Sequence, residues 1–198
     1  MNEIIVATNN DGKAREYREL FAPLGIKIKT LKDFPDLPEI DETGTTFEEN
    51  ALIKAQTVSK ATNLPVVADD TGLMIDALNG APGVYSARYA GNHDDQANID
   101  KVLRNLQSVD LPDRTARFHT SLVAVKPNGD QLLAQGEVEG SILTQQRGHH
   151  GFGYDSIFFV NQFNKSMAEL TDTQKNEISH RGNAMRNLMT NFETWWNE

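Results

Sequence analysis

Short apolar runs alternate along this chain with longer amphipathic stretches, and that alternation restricts the fold more than any other feature. Glu3 to Ala7 is a run suited to a buried strand, and Ala14, Tyr17, Leu20 and Phe21 then fall on one face of a helix. Thr46-Phe47-Glu48-Glu49 has the form of a capping box, in which Thr46 caps the helix end and Glu49 reaches back. The helix it opens carries Ala51, Leu52, Ala55 and Val58 inward, and Leu64 to Ala68 follows as a second buried strand. Ile99, Val102, Leu103 and Leu106 keep the spacing of a further helical stripe. Arg117 to Val125 and Gln131 to Val138 read as a hairpin joined through Pro127-Asn128-Gly129-Asp130. Ile157 to Val160 is a short strand, and Met185, Leu188, Met189, Phe192 and Trp195 share one face of a C-terminal helix. Strand, helix and strand in the first half, then a hairpin in the second, predict an α/β fold with a mixed sheet. No repeat or long linker interrupts the pattern, so one domain over residues 1–198 is expected.

Composition narrows the function classes. Charged residues at 24% are ordinary for a globular chain, which excludes global disorder. There are no cysteines, so disulfides and thiolate metal sites are excluded and a cytoplasmic location is the default. No apolar run approaches the ~20 residues of a spanning helix. The N-terminus lacks the basic region and long apolar region of a signal peptide. The net charge of −9 disfavours a nucleic-acid or membrane partner, because affinity for a polyphosphate backbone comes from many Lys and Arg contacts. A small phosphorylated ligand needs only a local cluster of donors.

Five segments carry chemistry. Thr8-Asn9-Asn10-Asp11-Gly12-Lys13 is a polar loop between the first strand and the first helix, where ligands of open α/β sheets collect. A helix N-terminus there offers free N–H groups to phosphate, Asn and Gly tolerate the positive φ that turns such groups toward an anion, and Lys13 adds a charge. Asp69 and Asp70 follow the second strand, and on an extended backbone they point to opposite faces. One is expected to face the cleft and the other to support the backbone. Oxygen ligands in such a place suit Mg²⁺, which takes one or two carboxylates plus substrate phosphate. Glu39 to Gly44, with Glu39, Asp41 and Glu42, is a second source of metal ligands. Gly148 to Asp155 interleaves glycines with Phe152 and Tyr154, either of which could stack on a flat ligand. Lys175 and Ser179-His180-Arg181 gather donors just before the last helix.

Together these segments resemble the inosine triphosphate pyrophosphatase family, the dITP/XTP pyrophosphatases that remove non-standard purine nucleotides. The likeness rests on Thr8 to Lys13, Glu42-Thr43-Gly44-Thr45-Thr46-Phe47-Glu48-Glu49-Asn50-Ala51, Ala68-Asp69-Asp70-Thr71-Gly72-Leu73, Gly80 to Tyr89, Gly151 to Phe158 and Lys175 to Arg181, in that order. Four positions depart from the family pattern: Asn9 for glycine, Asp41 for glutamate, Thr71 for serine and Ser156 for proline. The resemblance implies an elongated fold of two lobes and a central cleft around a long mixed sheet, usually as a homodimer. It implies Mg²⁺-dependent cleavage between the α- and β-phosphates, giving nucleoside monophosphate and pyrophosphate. By the same likeness Thr8, Asn9, Asn10, Asp11, Gly12 and Lys13 hold the phosphates. Asp70 binds metal and activates water, helped by Asp41 or Glu42. Thr71, Phe152, Gly153, Tyr154, Asp155, Lys175, His180 and Arg181 line the nucleotide pocket. The alternatives are a Maf-like pyrophosphatase, against which Ser179-His180-Arg181 argues, and a silent nucleotide-binding module, against which Asp69, Asp70 and Lys13 argue.

Overall fold

The computed structural model describes residues 2–91 and 94–198. The elements in chain order are β1 (Glu3–Val6), α1 (Asp11–Phe21), β2 (Lys27–Thr30), α2 (Phe47–Thr62), β3 (Val66–Ile75) and α3 (Asp95–Asn105), followed by β4 (Thr115–Val125) and β5 (Gln131–Ile142). After these come β6 (Phe158–Val160), β7 (Lys165–Ser166), α4 (Asp172–Ile178) and α5 (His180–Asn197). The strands form one seven-stranded sheet in the order β2-β1-β3-β4-β5-β6-β7. β1 runs parallel to β2 and β3, whereas β6 runs antiparallel to β5 and β7, so the sheet is mixed, as the alternation of periods predicts. Among the described residues no helix is long and apolar enough to cross a membrane.

The chain divides into two compact units. The first comprises the residues up to Asp70, with Ser121–Gln135 and Ala184–Glu198. Strand alternation sorts its core. Ile4 and Val6 of β1, Val67 of β3, and Leu122 and Ala124 of β4 face Tyr17 and Phe21 of α1 and Leu188, Phe192 and Trp195 of α5. Their odd-out neighbours Ile5, Ala7, Val66, Ala68, Val123 and Val125 face Ala51, Ala55 and Val58 of α2. A sheet apolar on both faces and covered by helices on both is the reason these strands read as continuous apolar runs. α2 begins with the capping box read from the sequence: Thr46 Oγ1 accepts from Glu49 N at 3.1 Å, and Glu49 Oε2 accepts from Thr46 N at 3.3 Å.

The second unit comprises Thr71–Thr120 and Gly136–Asn183. Its core joins Leu73 and Ile75 of β3 and Ala116 and Phe118 of β4 to Ile99 and Val102 of α3, with Ile157, Phe158 and Val160 closing it.

β3, β2 and α5 differ from the reading of the sequence, and β7 and α4 are additional to it. β3 does not end at Ala68 but continues through Asp69-Asp70-Thr71-Gly72 to Ile75, because its polar side chains find partners and Leu73 and Ile75 return to the core. β2 is too short to stand out by pattern, since Lys27-Ile28-Lys29-Thr30 buries fully only Thr30. α5 starts at His180, so His180 and Arg181 lie in its first turn rather than before it.

Candidate active site

In the first unit, the Thr8–Lys13 loop caps α1 with its own side chains. Asn10 is the N-cap: its Oδ1 accepts from Gly12 N at 2.9 Å and Lys13 N at 3.1 Å, and Thr8 Oγ1 accepts from Asn10 N at 3.1 Å. Two of the N–H groups expected to face phosphate are therefore already used. The expected left-handed backbone is absent as well. Among the described residues those with positive φ are Asn63, Asn79, Asn164 and a set of glycines that does not contain Gly12. Asn9 in place of glycine thus carries no conformational cost. Asp11 is exposed, and its carboxylate accepts from Lys32 Nζ at 2.6 Å, which directs it to the turn after β2 and holds its pKa below the usual carboxylate value.

Lys13 supplies what the loop backbone does not. Its Nζ donates to Asp69 Oδ2 at 2.6 Å, and both side chains line a cavity of about 510 Å³ together with Thr8, Asn9, Glu42 and Lys54. Of the two aspartates, the resemblance assigns Asp70 to the metal and the attacking water, which leaves Asp69 the backbone-supporting role away from the cleft. Asp69 is instead 2% exposed, in the cavity wall, against Lys13. The two aspartates do take opposite partners, as alternation requires: Asp69 meets Lys13 of α1, while Asp70 Oδ2 accepts from Asn50 Nδ2 of α2 at 3.1 Å.

Asn50 and Lys54 escaped the sequence reading. They lie four residues apart on α2, so they emerge on one side of the helix toward β3. Asn50 is 1% exposed and uses both halves of its amide, because Oδ1 accepts from Gly44 N at 2.8 Å while Nδ2 holds Asp70. One amide thereby ties the Glu42-Thr43-Gly44 loop to the Asp70 carboxylate. Lys54 is 15% exposed; its Nζ donates to Glu42 Oε1 at 2.7 Å and to the Asp69 carbonyl at 3.1 Å. Burial works against its charge, but Asp69, Glu42 and Asp70 outweigh that and raise its pKa above the ordinary lysine value. The signal in the sequence was a polar Asn50 beside the inward stripe of Phe47, Ala51 and Ala55. Of the two acids before Gly44, Glu42 lines the cavity and Asp41 is exposed.

In the second unit, Asp155 organises the Gly148–Asp155 loop. Its buried Oδ2 accepts from Phe152 N at 3.0 Å and from Lys175 Nζ at 2.6 Å, and Gly153 N donates to Asp95 Oδ2 at 3.0 Å. Phe152 remains 62% exposed, with Lys175 Nζ 5.1 Å from its ring centroid. Tyr154 is not available for stacking, because it is buried and its hydroxyl donates to the Ser86 carbonyl at 2.7 Å; burial pushes that phenol's pKa up. Thr71 Oγ1 lies 2.8 Å from Thr120 Oγ1. His180 and Arg181 are buried, and the His180 ring stacks on Phe118 with centroids 4.9 Å apart. Gly151 has φ +83°, and a Cβ there would strike the Asp155 carboxylate beside Lys175. Gly151→Ala is therefore expected to displace the Asp155–Lys175 pair and raise KM about tenfold, the effect of ~1.4 kcal/mol. Steady-state kinetics on the folded variant checks this, and an unchanged KM would show that the pair does not touch substrate.

The chain is similar to known proteins over nearly its full length. A model of the Ham1 family matches residues 4–191. The chain belongs to the Ham1 family. It is 59% identical over 193 residues to a protein of Lactiplantibacillus plantarum named dITP/XTP pyrophosphatase, covering 98% of this chain and 96% of that one. A Bacillus anthracis protein of the same name is 52% identical over 199 residues, covering 99% and 98%. Among solved structures, a Ham1 protein from Coxiella burnetii superposes with a TM-score of 0.92 at 45% identity, covering 98% of this chain and all (100%) of that one.

Proposed function

We propose that this Ham1 protein hydrolyses the non-standard purine nucleoside triphosphates ITP, dITP and XTP to the monophosphate and pyrophosphate, with Mg²⁺, as a cytoplasmic homodimer. The observation that carries the reading is the cavity in which Lys13 and Lys54 stand among Glu42, Asp69 and Thr8, joined to Asp70 through Asn50. Relatives named dITP/XTP pyrophosphatase support the substrate class.

The donors around this cavity suit Mg²⁺, since Glu42 and Asp70 offer carboxylate oxygens and no sulfur or imidazole competes. Glu42 and Asp70 would hold the ion together with oxygens of the substrate's phosphates. When bound, Mg²⁺ supplies positive charge that polarises the phosphoryl group and offsets charge on the leaving pyrophosphate. Asp70 takes the proton of the water that attacks the α-phosphorus. Asn50 Nδ2 donates to Asp70 Oδ2 at 3.1 Å and so positions the carboxylate for that task. Lys13, fixed by Asp69, offsets the charge that builds on the β-phosphate.

In the second unit Phe152 offers an exposed face to the base, and Lys175, His180 and Arg181 supply donors for a 6-keto oxygen. Adenine presents an amino donor at that position, and a donor facing a donor can cost ~10⁴ in discrimination. GTP keeps the 6-keto group, so its 2-amino group must be what is refused. A panel of nucleoside triphosphates scored by kcat/KM is expected to give ITP and XTP far above ATP, with GTP between. Equal values for ATP and ITP would overturn the assignment.

A further inference from the structure

Lys54 is bonded to one of the carboxylates that would hold the metal. Its Nζ bonds Glu42 Oε1 at 2.7 Å and the Asp69 carbonyl at 3.1 Å, on a side chain that is largely buried. Lys13 compensates Asp69 at 2.6 Å. The three carboxylates Glu42, Asp69 and Asp70 thus already face two ammonium groups without any ion from solution. A divalent cation approaching Glu42 meets an ammonium group bonded to the same oxygen, and repulsion between cations a few ångströms apart is large in a partly buried site.

We propose that Lys54 is a resident counter-cation: it holds Glu42 until a metal-bound triphosphate arrives, so free metal binds weakly and nucleotide and metal enter together. The incoming phosphates give Lys54 a new anionic partner, which releases the Glu42 carboxylate to the metal. The exchange falls to Lys54 because it is the ammonium group bonded to Glu42, whereas Lys13 is bonded to Asp69 and Asn50 to Asp70 and Gly44. The proposal rests on the metal-assisted reading above, but its test contains no nucleotide, so its outcome is separate from the identity of the substrate.

The probe is Mn²⁺ alone, followed by electron paramagnetic resonance of the free ion. Lys54→Met keeps the aliphatic stem and removes the charge; it is expected to bind Mn²⁺ at least about tenfold more tightly than wild type. Lys54→Arg keeps the charge and should stay near wild type. Lys54→Met with Glu42→Gln should lose the gain, because the freed carboxylate is its source. Lys54→Gln serves the same purpose should the Met variant not fold, and a thermal melt establishes folding for each. Unchanged or weaker Mn²⁺ binding in both folded uncharged variants overturns the proposal, as does a gain that survives Glu42→Gln.

Discussion

Asp70→Asn should lower turnover by about 10³ or more, since removing a positioned base alone accounts for 10²–10⁴. The substitution keeps the shape of the side chain, an oxygen, and the chance to bond Asn50, while removing the negative charge and the proton acceptor. Nucleotide binding should persist, because Lys13 and its anchor Asp69 are untouched. Calorimetry with a non-hydrolysable ITP analogue beside a pyrophosphate-release assay reads both halves. Asp69→Asn gives the contrast. Its carboxylate anchors Lys13 at 2.6 Å rather than facing away from the cavity, so its loss should act on substrate binding, raising KM about tenfold with a smaller fall in kcat. Should Asp69→Asn be the dead variant and Asp70→Asn stay active, the two roles must be exchanged.

Lys13→Ala should reduce kcat/KM by at least about 100-fold, as expected for a lost charge-stabilising contact. The structure adds a second consequence that a surface lysine in a polar loop would not have. Asp69 is 2% exposed, and without Lys13 it keeps only part of its compensation. Stripping one partner from a buried pair costs about 3–5 kcal/mol, and the partial exposure of Lys13 places this case at or below the lower end. The melting temperature should therefore fall together with activity. Pairing Lys13→Ala with Asp69→Asn removes the stranded charge and should recover much of the stability but none of the activity. Full activity in the single variant would remove the phosphate role from the loop.

How much of this was legible in the sequence depended on distance along the chain. The capping box at Thr46–Glu49, the helical stripes and the hairpin closed by the Lys126 N to Asp130 O bond at 2.9 Å are local, and pattern alone located them. The site motifs were legible as residue types, yet their partnerships were not. Lys13 and Asp69 are 56 residues apart, so nothing in either segment shows that one anchors the other. Asp69 and Asp70 looked like a strand end because polar residues usually close a strand, whereas Lys13 and Asn50 satisfy them inside it. Glycine and asparagine in the Thr8–Lys13 loop suggested a left-handed turn, but the Asn10 side chain caps α1 with an ordinary backbone. Tyr154 read as an aromatic for stacking, and only the fold reveals that its hydroxyl is committed to Ser86. Lys54 gave no signal at all, since an isolated lysine in an amphipathic helix is indistinguishable from a solvated one until β3 is placed beside it.

The most direct test of the central claim is the identity of the products from ITP, read by phosphorus NMR over a single time course with Mg²⁺ present. Attack at the α-phosphorus predicts inosine monophosphate and pyrophosphate in equal amounts, with no orthophosphate ahead of them. Inosine diphosphate with orthophosphate would place the attack at the γ-phosphorus and contradict the account.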